Sequence, residues 1–156
     1  MKSWAIYILA ALGFVIYGAV TDADRDSSGT IVGGGTVDAF SVQMGDCFND
    51  AGTFDDQVIS VPGVPCSEPH DNETFAVIDV SFDSYPADGN MDRLAYDACM
   101  VHFEAFVGRE YETSVLEIAT MYPSAESWEQ NDREVVCAVF DVNAKQLVGS
   151  AAGRGL

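Results

Sequence analysis

The sequence predicts an α+β fold: a mainly antiparallel sheet with one helix packed on it, stapled by two disulfides and preceded by a single N-terminal transmembrane helix. Three observations predict it. Apolar and β-branched runs bounded by turn residues lie on both sides of one stretch with helical spacing. Four cysteines all fall beyond residue 40. An uncharged run of 19 residues, 3–21, opens the chain.

That run, SWAIYILAALGFVIYGAVT, would be about 28 Å long as a helix, close to the thickness of bilayer hydrocarbon. Trp4, Tyr7 and Tyr17 lie toward its ends, where amphipathic rings favour the interface. Lys2 precedes it, and Asp22, Asp24 and Asp26 follow. The positive-inside rule therefore puts the N-terminus in the cytoplasm and the rest outside, as a single-pass protein of the cytoplasmic membrane. A cleaved secretory signal is the competing reading. It is disfavoured by the poor cleavage site at Thr21-Asp22-Ala23, and it gives the rest of the chain the same location.

Residues 22–40, DADRDSSGTIVGGGTVDAF, are dominated by Asp, Ser, Gly and Thr and read as a flexible linker. Gly33 and Gly35 follow no strand and lack the third glycine of a nucleotide loop. The domain proper is expected over 41–156. Val58-Ile59-Ser60-Val61 reads as a strand turning at Pro62-Gly63, and residues 74–82 as a longer strand. The clear helix spans roughly 91–107, with Leu94, Ala98, Val101 or His102, and Ala105 or Phe106 on its apolar face and Gly108 as its stop. Residues 114–121 and 134–142 read as further strands, and 145–150 as a short edge.

Cys47, Cys66, Cys99 and Cys137 all lie on the outer side of the expected membrane span, where an even count favours disulfides. Three connectivities exist. The favoured one joins Cys47 to Cys66 across an early hairpin, and Cys99 to Cys137, helix to late strand. Loop-closure entropy predicts about 3 and about 4 kcal/mol for the two bridges. Zinc is the rival reading, but no C-x-x-C pair is present.

With 25 acidic and 7 basic residues the formal charge is −18. Such a surface repels phosphate backbones and anionic headgroups, which excludes nucleic acid as a partner. The hydrophobic share of 48% is that of a packed domain rather than a disordered one.

The order of motifs resembles a known family. It runs through Gly45-Asp46-Cys47-Phe48-Asn49, Val64-Pro65-Cys66-Ser67-Glu68-Pro69-His70-Asp71, a strand over 73–77, and Cys99 in a helix ending Phe106-Val107-Gly108. Tyr122-Pro123, Glu126-Ser127-Trp128, Asp132-Arg133-Glu134-Val135-Val136-Cys137 and Val148-Gly149-Ser150-Ala151 follow, then Gly153. This resembles the actinobacterial septum-formation domain family over residues 43–153, most specifically in the Pro-Cys-Ser-x-Pro-His-Asp stretch. The resemblance implies a membrane-anchored or secreted protein linked to cell division or envelope biology. It implies no reaction and no cofactor.

The residues with chemical potential are few. His70, beside Asp71 and near Glu73, offers a general base or metal ligand, against a structural role fixed by Pro69 and the nearby Cys66. His102 reads as a boundary residue of the helix. No G-x-S-x-G elbow, H-E-x-x-H or phosphate loop occurs. Residues 83–92, DSYPADGNMD, do not match a calcium loop and read as a solvated turn. Trp128 reads as a core anchor or a partner contact, and Asn72-Glu73-Thr74 matches a glycosylation sequon. The expectation is a non-enzymatic, anchored binding or scaffolding protein that contacts an envelope or membrane protein. Alternatives are an accessory subunit of a membrane complex, its span packing through Ala10, Ala11, Gly13 and Gly18, and a hydrolase using His70 and Asp71.

Overall fold

The computed structural model describes residues 21–50, 58–86 and 90–156. Among them run β1 (Asp24–Arg25), β2 (Ile31–Gly33), β3 (Gly35–Asp38), β4 (Cys47–Phe48), β5 (Ser60–Val64) and β6 (Asn72–Asp79). Helix α1 (Asn90–Val107), β7 (Leu116–Met121), helix α2 (Ala125–Glu129) and β8 (Glu134–Asp141) complete the order. Six strands form one sheet in the order β3-β5-β4-β6-β8-β7, every neighbouring pair antiparallel. β1 and β2 pair as a separate antiparallel hairpin.

The helix covers one face. Met91, Ala95, Cys99, Phe103 and Val107 recur every four residues and are all buried against Phe75, Leu116, Ile118 and the β8 residues Val135, Cys137 and Val139. The Phe103 ring meets Phe75 and Tyr111 edge-on, at 6.2 and 5.0 Å between centroids. The apolar face expected from Leu94, Ala98, Val101 or His102, and Ala105 or Phe106 is thus partly displaced: Val101, His102 and Ala105 are exposed, while Phe106 packs against the core. A spacing of four, rather than alternating three and four, drifts slowly around the helix, and the Cys99–Cys137 bridge fixes which side faces down. Gly108, at φ 78°, ends α1 as expected. The final carbonyls, from Phe106 and Val107, accept hydrogen bonds from the N–H groups of Gly153 and Gly155.

β8 is buried on both faces. Val136 and Ala138 point away from the helix and share a second core with Ile31, Val37, Val42, Phe48 and Val61. Residues of β8 meet those of the neighbouring β3 and β5 in one cluster although β8 lies three strands beyond β5 in the order, so the sheet curls toward itself.

Residues 22–40 are therefore not a linker, and the folded body begins by Thr21 rather than at residue 41. Thr36 donates to the Thr21 carbonyl and accepts from the Ala23 N–H, each at 2.9 Å, beside a parallel bridge between Asp22 and Thr36. Close approach demands glycine at Gly35, in the stretch read as flexible, and at Gly63, in the stretch read as a turn. A Cβ on Gly35 would sit 2.6 Å from the backbone of Thr21, Asp22 and Ala23, and one on Gly63 would sit 2.6 Å from Val37. Arg25 ties this segment down with two hydrogen bonds, at 2.6 and 2.7 Å, to the buried Asp46 carboxylate.

Pro62-Gly63 lies inside β5 rather than in a turn. Thr36, opposite Pro62, directs its N–H and carbonyl outward to Thr21 and Ala23, so no ladder donor is missing on that side. A register irregularity between Thr74 and Ala76 buries both Phe75 and Ala76 on the helix side and breaks the in–out alternation of a regular strand there. Residues 145–150 contribute a single bridge, Leu147 to His70, and no strand. Among the described residues no helix is long and apolar enough to cross a membrane. The expected anchor, 3–21, lies outside the described residues except for Thr21.

Candidate functional site

The motif residues gather where β4, β6 and the C-terminal segment meet. Cys47 pairs with Glu73 across the β4–β6 ladder, and the Cys47–Cys66 disulfide spans 5.2 Å between Cα atoms. The second bridge, Cys99 to Cys137, spans 5.5 Å. Both are the pairs favoured from the sequence. A turn with Glu68 N–H on the Pro65 carbonyl leads through exposed Pro69 into His70.

His70 is fully buried. Its backbone exchanges two hydrogen bonds with Leu147, at 3.0 and 2.8 Å. Its ring Nδ1 lies 2.8 Å from the Glu68 carbonyl oxygen. A carbonyl only accepts, so Nδ1 carries the proton and a neutral ring leaves Nε2 as an acceptor. Nε2 has no hydrogen-bond partner among the described residues, nor does the buried Thr74 hydroxyl. Asp71 turns elsewhere: its carboxylate accepts from the Asp50 N–H at 3.0 Å and the Gln146 amide at 3.2 Å. The sequence-adjacent His70 and Asp71 are therefore not hydrogen-bonded to each other.

Glu73 is the third member. Its buried carboxylate accepts from the Ser150 hydroxyl at 2.6 Å and the Ala151 N–H at 2.5 Å, clasping the C-terminal segment to β6. A carboxylate oxygen also lies within 4.8 Å of the sulfurs of Cys47 and Cys66. These three would be metal donors as free thiols, but both sulfurs are joined to each other. Asn72 of the sequon is buried in β6 and donates to Asp50, so it offers no accessible amide. The 83–92 turn falls partly outside the described residues.

Trp128 is a core residue. It lies buried in α2, whose Ser124 hydroxyl accepts from the Ser127 N–H while Ser127 returns the bond. Its ring stacks on Phe82 at 6.3 Å, meets Tyr85 edge-on at 5.8 Å and carries the Arg133 guanidinium 3.6 Å from its centroid.

The sequence reading missed a groove beside it. A cleft of about 560 Å³ runs between the segment after β3 with the lead into β5, and the end of β7 with α2. Phe40, Val58, Ile59 and Tyr122 line it, 66%, 48%, 74% and 42% exposed respectively. Scattered single exposures are ordinary, but four large apolar side chains converging on one cleft are not. No sequence signal joins them, because they come from three separate parts of the chain.

No curated protein and no solved structure matches the chain. The family model described as Septum formation matches residues 33–137, from the onset of the curled sheet through the last of the four cysteines. With more than half its length in that match, the chain belongs to the Septum formation family.

Proposed function

We propose that the protein is a membrane-anchored, extracytoplasmic binding or scaffolding component of cell division. Membership of the Septum formation family supports the link to division. The uncharged run over 3–21, with Lys2 before it and three aspartates after it, supports the anchor and its direction. Two disulfides support an oxidising compartment for the folded body. The observation that carries the binding role is the exposed apolar cleft, set in a domain whose motif residues are engaged in holding the fold.

The test is topological. An enzyme reporter fused after Leu156 should be active only when it requires export. Activity of a cytoplasm-only reporter at that position would overturn the anchor direction. A fluorescent fusion compatible with the outer compartment should concentrate at division sites, and uniform distribution through the cell cycle would remove the division role.

A further inference from the structure

The cleft beside Trp128 is built rather than incidental. The Asp38 carboxylate accepts from the Phe40 N–H at 2.9 Å and holds the turn that presents Phe40. The neighbouring Ala39 N–H donates to the Ile59 carbonyl at 2.9 Å, joining the two pieces of that wall. Opposite, Tyr122 sits between β7 and the buried Pro123. The volume falls within the roughly 300–1,000 Å³ of ligand clefts.

The charged members of the lining are all acidic, among neutral polar ones such as Ser124 and Gln130. Glu126, Asp132 and Glu134 line the cleft, and Asp79 adjoins it across the β6–β8 ladder. The basic side chain at this end, Arg133, is drawn over Trp128 and donates to the carbonyls of Trp128 and Asp132. It does not neutralise the other carboxylates. Burial, then the charges of Asp132 and Asp79, hold the Glu134 carboxyl above its ordinary range, which marks crowding that an incoming cation would relieve.

We propose that this cleft docks an extended segment of a partner protein in which lysine or arginine side chains alternate with branched or aromatic ones. The apolar side chains enter between Phe40, Ile59 and Tyr122, and the cations meet the carboxylates of Glu126 and Glu134. The formal charge of −18 steers such a segment from a distance, and the apolar wall gives it a register. This deepens the binding role proposed above and rests on it only for biological context.

The test uses the full chain in a non-ionic detergent and a fluorescein-labelled ten-residue peptide alternating lysine with isoleucine and phenylalanine, read by anisotropy. Phe40→Ser with Ile59→Ser should weaken binding at least tenfold. Glu126→Gln with Glu134→Gln should weaken it several-fold. Glu104→Gln with Glu110→Gln removes the same charge from exposed positions outside the cleft and should leave affinity unchanged. The same peptide with glutamate for lysine should not bind. Ile59→Ser alone carries the apolar arm if the double variant does not fold. Three outcomes overturn the proposal: no binding by the parent chain, equal weakening by the outlying pair, or an affinity indifferent to the apolar substitutions. A dimer of the chain that Phe40→Ser with Ile59→Ser dissolves would also overturn it, assigning the cleft to a second copy. Binding in detergent does not depend on topology, so failure here and failure of the anchor are separate results.

Discussion

Glu134 faces Asp79 directly across two antiparallel strands, with Asp132 two positions away. Like charges so placed oppose pairing. A carboxyl whose folded pKa is raised contributes stability that is fully present below its unfolded value, about 4.3, and lost as pH rises through the folded value. Glu134→Gln should therefore raise Tm at pH 7, by an amount that salt diminishes, and leave Tm unchanged near pH 3.5. Calorimetry across that range checks the sign. Glu73 is a structural clasp instead. Its carboxylate answers the Ala151 N–H and the Ser150 hydroxyl in a buried site. Glu73→Ala strands a buried donor and opens a cavity, so it should lower unfolding free energy by about 2–4 kcal/mol in denaturant titration.

At the scale of elements, the glycines of β3 and β5 separate two kinds of steric demand. The neighbours of a Cβ on Gly35 are backbone, whereas those of one on Gly63 are the side-chain ends of Val37 and Ile31. Gly35→Ala should destabilise the domain more than Gly63→Ala. Val37→Ala should offset part of the Gly63→Ala effect and none of the Gly35→Ala effect, as a double-mutant cycle would measure. The same contrast explains what was legible in the sequence. α1, β7 and β8 announce themselves as elements through local apolar content, and their bounds fall within a residue or two of expectation, but which face of α1 is buried was not legible, being fixed by the bridge to Cys137. Residues 22–40 looked like coil because Gly, Asp and Ser are locally coil-forming. Their order comes from Ile31 and Val37 reaching a distant core and from Arg25 reaching Asp46. α2 was missed because five residues held by a serine–serine cap carry no periodicity. The burial of His70 was not readable either, since it depends on Leu147 pairing far along the chain.

For the whole molecule, two covalent crosslinks divide the labour. Cys47–Cys66 closes a separation of 19 residues at the sheet's middle, and Cys99–Cys137 closes 38 between helix and sheet. Non-reducing peptide mapping should return these two pairs. Doubling the closed loop adds about 0.6 kcal/mol of chain-entropy stabilisation, so replacing the second pair with alanines should cost more than replacing the first. Denaturant midpoints of the two double variants make the comparison, and the fully buried Cys99 and Cys137 side chains add a packing loss in the same direction.

Thr21 is hydrogen-bonded into the edge of the sheet. A free tether over 22–40 would let the domain sweep a hemisphere of about 24 Å radius, so that any ligand within it meets the cleft by diffusion. Stitched at Thr21, a chain anchored as proposed would have no such reach. Under the proposed anchoring, the cleft would stand at one height above the bilayer. Capture would then fall to the proposed partner, whose own segment would have to extend to that height. Two proteins confined to one plane with matched heights meet at a far greater local concentration than a tethered pair searching a volume. Under the proposed anchoring, a junction stitched at Thr21 would exchange range for encounter frequency.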